Sequence, residues 1–383
     1  MFSCGSRNEN ENETGLAHFV EHNLFKGTRT KSSLQVLSRI DSVGGELNAY
    51  TAKEETCIYA SFFPEYLDRA VELLGDIGFQ SVFPGDEVAK EKKVILDEIM
   101  TYEDNPSEQI FDEFDELLFG KHPIGKNILG TRETVKGFRR SDILTFTSAH
   151  YLTSSAVLAV SGPYTLVAFK KSIEKNLGHH HTSGNRKALT KPSLKKKVTR
   201  KRHKEIQQDY VLMGGGAPSL KHDSERIPMV LLNNLLGGPS LNNRLNLAIR
   251  EKYGLTYSLE SGYHAYSDCG IFSVFFATDA GNTEKTASLV RAELNKLTKK
   301  PLSQKQLDSA KMQLFGNLAM MSENRQNATI AMAKSILVFG KYEDMDTVFA
   351  KIKKITAEQV METAQKFFNH DSFCTLHYQS KHI

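Results

Sequence analysis

Thr56-Cys-Ile-Tyr-Ala-Ser-Phe-Phe63 and, far downstream, Gly270-Ile-Phe-Ser-Val-Phe-Phe-Ala277 are the stretches on which the reading of the fold turns. Each is a short run rich in β-branched and aromatic residues, the composition of a strand. Each follows a second strand-like segment, Leu47-Asn-Ala-Tyr-Thr51 in one case and Leu255-Thr-Tyr-Ser-Leu-Glu260 in the other. Each leads into a helical pattern, 65–79 and 282–297, and a further helix precedes each set, around 16–26 and 226–236. The order of elements repeats, so the chain reads as two distant copies of one unit. A length of 383 residues agrees, because a single core rarely grows that large.

Working outward, the apolar run Ala156-Val-Leu-Ala-Val-Ser-Gly162 is expected as a buried strand that closes the first copy, with a helix after it. The stretch 179–204 combines a His tract, Gly184, Pro192 and a basic cluster, the composition of an exposed connection. The expected organisation is therefore a domain over 1–178, a basic linker over 179–204 and a second domain over 205–383. Between Arg186 and Lys204 there are ten Lys and Arg and no acid, so the net charge of +4 is largely local.

With 40% apolar and 25% charged residues, the composition is that of a globular protein and excludes a fibrous or disordered one. No apolar run approaches the roughly 18 residues of a membrane span, and the N-terminus carries no secretion signal, so a cytoplasmic location is the default expectation. Cys4, Cys57, Cys269 and Cys374 lack metal-ligand spacing and read as reduced, mostly buried thiols.

Chemistry enters with His18-Phe-Val-Glu21-His22. Thr14 is placed to cap a helix that carries this motif, and at 3.6 residues per turn His18 and His22 share a face. Two imidazoles so spaced can bind one metal ion, with Glu21 beside the water that ion holds. This is H-x-x-E-H, the inverse of the commoner zinc-protease order. A catalytic zinc needs a third protein ligand, and Glu98 is the candidate, on a helical segment where Glu91 lies seven residues earlier on the same face. Glu91 is expected to accept a hydrogen bond from the second ring nitrogen of a ligand histidine. A plain surface helix and a solvated acidic face are the competing readings of these two segments.

At this point the sequence resembles the pitrilysin or insulinase family, the inverzincins, and within it the short processing-peptidase-like branch. The phrases that carry the resemblance are Gly15-Leu-Ala-His-Phe-Val-Glu-His-Asn-Leu-Phe-Lys-Gly-Thr28, Gly44-Gly-Glu-Leu-Asn-Ala-Tyr-Thr51, the segment from Glu91 to Glu98, and His122-Pro-Ile-Gly125. The interval from His22 to Glu98 matches the family's spacing to its distal glutamate ligand. Arg250 and Tyr257, seven apart, match the pair that family members bring from the C-terminal domain to the substrate.

The resemblance implies an α+β fold of two homologous αβ domains, each with a mostly antiparallel sheet packed by helices, forming a two-half clamshell. It implies one Zn2+ per chain held by His18, His22 and Glu98, with Glu21 as general base. Arg250 would hold a substrate carbonyl, Tyr257 would support the oxyanion, and the edge-strand residues Asn48 and Ala49 would pair with an extended substrate. Read without the family, Tyr257 is equally a strand aromatic in a core and Arg250 a helix-terminal charge.

The implied activity is hydrolysis of peptide bonds in peptides or unfolded segments by a homodimer, with no nucleic-acid partner. Overlaying the two copies sets His18, Glu21 and His22 against Met229, Leu232 and Asn233, so the second copy is expected to hold no metal. Family members usually have a strand or two before the segment that here begins at Met1, so the first domain is expected to lack an N-terminal strand. A non-catalytic processing-peptidase-like scaffold, or substrate-holding subunit, is the rival function. Nucleic-acid binding through the basic stretch is a second rival, although no aromatic residue interleaves that cluster.

Overall fold

The periodic segments become regular elements in the computed structural model, which describes residues 1–180, 182–184 and 188–381. In chain order these are α1 (Leu16–Asn23), α2 (Ser33–Asp41), β1 (Glu46–Thr51), β2 (Thr56–Ser61), α3 (Leu67–Gln80), α4 (Gly85–Glu103), α5 (Pro106–Phe119), α6 (Arg132–Gly137), α7 (Arg140–His150) and α8 (Leu166–Leu177). The second half supplies β3 (Thr199–Lys204), β4 (Asp209–Ala217), α9 (Asp223–Gly237), β5 (Leu259–Ala265), β6 (Gly270–Thr278), α10 (Thr283–Lys299), α11 (Gln304–Glu323), α12 (Arg325–Phe339), α13 (Met345–Lys353), α14 (Ala357–Phe367) and β7 (Cys374–Ser380). The fold is mixed helix and sheet, with antiparallel pairing dominant.

Two compact units emerge, and neither is a continuous stretch of chain. The first comprises Met1–Tyr102, Lys126–Thr190 and Glu323–Tyr342; the second comprises Glu103–Gly125, Lys191–Ser322 and Glu343–Ile383. The expected spans 1–178 and 205–383 therefore each give one helical segment, α5 and α12, to the other unit. Burial explains the exchange of α5. Its apolar stripe of Ile110, Phe114, Leu117 and Leu118 packs with Leu212, Ile271, Phe275 and Leu376 of the second sheet. Without it that face would be bare.

The second unit's sheet runs β3-β7-β4-β6-β5, parallel only where β3 meets β7. Every residue of β6 is buried. Successive side chains leave a strand on opposite faces. Phe272, Val274 and Phe276 enter the core with α9, α10 and α14, while Ile271 and Phe275 enter the core with α5. Two covered faces remove the need for polar alternation, which is why the run is continuously apolar. The Gly214-Gly-Gly216 run lies within β4, where a Cβ on Gly214 would stand 2.1 Å from the Phe272 carbonyl oxygen. Close strand approach requires glycine there.

Part of the basic stretch is structure rather than connection. Thr199–Lys204 is the edge strand β3, and Arg202 and Lys204 pair with Glu113 of α5, at 3.2 and 3.8 Å. Charge on an edge strand deters pairing with other chains. His181 and residues 185–187 of that stretch lie outside the described residues.

In the first unit β1 and β2 form a two-stranded antiparallel sheet, with Asn48 opposite Tyr59 and Ala49 opposite Ile58. The strand expected over 156–162 is realised, among the described residues, only as a bridge at Ala156, with backbone hydrogen bonds between Met1 and Val157 beside it. An apolar run becomes a strand only where a neighbour accepts its backbone hydrogen bonds. No described helix is long and apolar enough to cross a membrane.

Candidate metal centre

The site starts from α1, a helix of only two turns. Leu16, Ala17, Phe19 and Val20 are almost entirely buried, which fixes the rotation of the helix and leaves His18 and His22 on its remaining face. The two rings lie 4.6 Å apart at their centroids. The N-terminal cap differs from expectation. Gly15 at the cap position has φ +94°, open chiefly to glycine, and no side-chain cap is formed by Thr14. Glu9 instead accepts from the backbone N–H of Gly15 at 3.0 Å and of Ala17 at 2.8 Å.

Helix α4 brings the third donor. Val88, Glu91, Ile95 and Ile99 form its buried stripe, and Glu98 sits on the flank of that stripe. Glu98 Oε2 lies 3.7 Å from His18 Nε2 and 3.5 Å from His22 Nε2. One ligand atom from each of the three residues falls within 4.8 Å of the others, the only such group of His, Cys, Asp or Glu among the described residues. Glu98 Oε2 is itself buried and has no hydrogen-bond partner. A buried carboxylate oxygen facing two imidazole nitrogens, with no donor of its own, is the arrangement a cation satisfies.

The neighbours prepare the donors. His22 Nδ1 is 3.1 Å from Glu91 Oε2, so the proton belongs on Nδ1 and the Nε2 lone pair is directed at Glu98. Lys26 Nζ, one turn beyond His22, holds the other Glu91 oxygen at 2.6 Å and balances that buried charge. Burial, reinforced by His22, holds the His18 pKa down at about 3, which keeps its ring neutral and able to ligate. Burial also raises the carboxyl of Glu21, while hydrogen bonding by Thr51 at the end of β1 and the neighbouring His22 oppose that rise.

Asn48 and Ala49 lie mid-strand in β1, whose only strand partner among the described residues is β2. The Asn48 side chain accepts from the Ala49 N–H at 2.8 Å. Arg250 and Tyr257 belong to the second unit and meet each other there, the guanidinium 5.5 Å from the ring centroid. Tyr257 is 85% exposed and lies ahead of β5, so the reading of it as a core strand aromatic fails. Met229 and Leu232, set against His18 and Glu21 in the overlay, are wholly buried core residues of α9. The sequence reading missed Glu9, Lys26 and Thr51. Lys26 lies four residues past His22, beyond the end of α1 at Asn23, so helical periodicity does not by itself place it at Glu91. Glu9 and Thr51 act through the folded backbone and left no local signal.

Two nitrogens and one carboxylate oxygen, with the second ring nitrogen of one histidine tied to a carboxylate, are a donor set that suits a zinc ion. Comparison with known proteins points the same way. The profile of the insulinase peptidases, family M16, matches residues 1–132, and that of the M16 inactive domain matches 137–314. An uncharacterized zinc protease, YmxG, of Bacillus subtilis is 33% identical over 96% of this chain and 89% of its own. An uncharacterized zinc protease of Rickettsia bellii is 32% identical over 95% and 88%.

Among solved structures, a protease from Helicobacter pylori superposes with a TM-score of 0.88 at 20% identity, covering 99% of this chain and 92% of its own. A peptidase M16 inactive domain from Pseudomonas fluorescens gives 0.90 at 21%, covering 100% and 92%. The chain belongs to the insulinase family of peptidases, M16.

Proposed function

We propose that this protein is a zinc-dependent endopeptidase that hydrolyses peptide bonds in peptides or unfolded polypeptide segments. The observation that carries the reading is the convergence of His18, His22 and Glu98, with Glu91 fixing the tautomer of His22. These residues fit one zinc ion per chain. Zinc, when bound, polarises the scissile carbonyl and the attacking water. Glu21 takes the proton of that water and passes it to the leaving amine, the role of a carboxylate held next to the reacting atoms.

Asn48 and Ala49 pair with extended substrate along β1, which requires the Asn48 side chain to release the Ala49 N–H. Arg250 holds a substrate carbonyl and Tyr257 supports the developing oxyanion. Because one chain supplies every residue named, the proposal needs no second kind of subunit, and the assembly is a homodimer.

The match to an inactive domain falls on 137–314, outside the residues of the metal group. It leaves the triad and Glu21 intact. Glu21→Gln should retain zinc and lose turnover by a factor on the order of 10²–10⁴. Glu98→Ala should lose zinc. Metal analysis and cleavage of a casein-derived peptide mixture test both, and a Glu21→Gln variant as active as wild type sinks the mechanism. Wild-type protein that binds zinc and cleaves nothing would favour the substrate-holding role.

A further inference from the structure

Lys26 lies in the segment 24–32, between the end of α1 at Asn23 and the start of α2 at Ser33. That segment is tied down along its length. The Ser81 hydroxyl donates to the Leu24 carbonyl at 3.1 Å, and the Ser33 hydroxyl donates to the Phe25 carbonyl at 3.1 Å. The Val82 N–H donates to the Gly27 carbonyl at 3.1 Å, and the Arg29 N–H donates to the Gln80 carbonyl at 3.0 Å. Three of these four bonds reach residues 80–82, where α3 ends shortly before α4 begins at Gly85. The backbone that carries Lys26 is therefore bonded to the chain from which α4, with Glu91, departs.

The side chains meet across this frame. Lys26 Nζ lies 2.6 Å from Glu91 Oε1, and Glu91 Oε2 lies 3.1 Å from His22 Nδ1. Among the described residues these are the two ion-pair partners of Glu91, whose side chain is 9% exposed. The last torsion of a glutamate is broad, so one contact to His22 leaves the carboxylate free to turn. A cation on the other oxygen removes that freedom. The Oε2 lone pairs then stay on the His22 N–H, and the ring stays directed at Glu98.

We propose that Lys26 is a positioning residue of the metal centre: it holds Glu91 so that Glu91 holds His22, and zinc affinity depends on it. The proposal rests on the zinc reading above. Its sign separates it from an effect of charge alone. A cation near a metal site repels the metal, so if charge were all that mattered, removing Lys26 would tighten zinc binding. Removing the support of a ligand's partner weakens it.

Zinc affinity of the 383-residue chain, read in competition with a chelating dye, tests the sign. Lys26→Met should weaken binding by about tenfold. Lys26→Arg keeps a cationic donor and should stay within about threefold of wild type. The double variant Lys26→Met, Glu91→Gln should bind no more weakly than Glu91→Gln alone, because the lysine acts through Glu91. The metal-free chain gives a second readout. The ¹⁵N spectrum of the His22 ring should show the proton on Nδ1 in wild type and a mixture of tautomers in Lys26→Met. If Lys26→Met does not fold, Lys26→Gln, a donor without charge, should weaken binding in the same direction. Unchanged or tighter zinc binding, additive losses in the double variant, or an unaltered tautomer would overturn the proposal. Wild type that takes up no zinc, with a tautomer that still shifts in Lys26→Met, would sink the zinc reading and retain the positioning role.

Discussion

At the scale of single residues, the group proposed to hold zinc is one of electrostatically coupled side chains. His18 shows the cost. Its folded pKa of about 3, against an ordinary 6.5, means that the folded metal-free chain holds fewer protons than the unfolded chain in this interval. The stability that a neutral His18 contributes is therefore complete above about pH 6.5 and is lost as the pH falls toward 3. Chelator-treated wild type and His18→Asn, melted from pH 7 to pH 4, should differ by an amount that moves in the variant's favour as acid is added; a constant difference refutes this. Glu91 acts one step removed, through His22. Glu91→Gln should weaken zinc binding by about 10–100-fold in competition with a chelating dye, and unaltered affinity would show that the contact does not orient the ring.

At the scale of elements, α1 is too short to hold itself in helical form in water and depends on its surroundings. Its first turn is tied to the chain upstream by both oxygens of Glu9, a buried side chain whose carboxyl burial pushes up to about 8. Glu9→Ala leaves the Gly15 and Ala17 N–H groups without acceptors in a buried position and should cost about 1–3 kcal/mol in denaturant unfolding. Loss of zinc affinity should accompany it. A variant as stable as wild type would mean that water reaches those groups.

The H-x-x-E-H helix itself was legible from spacing, as was the helix carrying Glu91 and Glu98, because a period of 3.6 places their polar groups in register with a buried stripe. The cap was not legible. Thr14 satisfies the local rule for a capping residue, yet Gly15 takes a left-handed φ and a carboxylate from outside the helix makes the bonds.

At the scale of the whole molecule, every member of the metal group lies in the first unit. Zinc at about 100 times its Kd should stabilise that unit by about 2.7 kcal/mol through mass action. Hydrogen exchange should report slower opening of α1 and α4 on adding zinc, with β4 and β6 unaffected. Equal protection in both units would show that they open as one. The repeated order of elements was readable along the chain because each copy carries its own apolar periodicity. The exchange of α5 and α12 was not, since an amphipathic helix announces only that it will bury a face.

The sequence by itself determined two repeated units of helix and strand and two imidazoles one turn apart, because these depend on periodicity, while the fold class and the carboxylate at Glu98 were picked out by resemblance to the family. Only the tertiary structure decided that Glu98 and both histidines meet within 4.8 Å, that half-buried Lys26 pairs with the buried Glu91, and that α5 covers the second sheet. It also decided that the apolar run at 156–162 meets Met1 and Phe2 through Ala156 and Val157 and forms no longer ladder among the described residues, where a strand had been expected. The physical reason is common to all four. Periodicity says which face of an element is apolar, whereas the partner of that face, and of every backbone N–H at its edge, is set by residues far away in the chain.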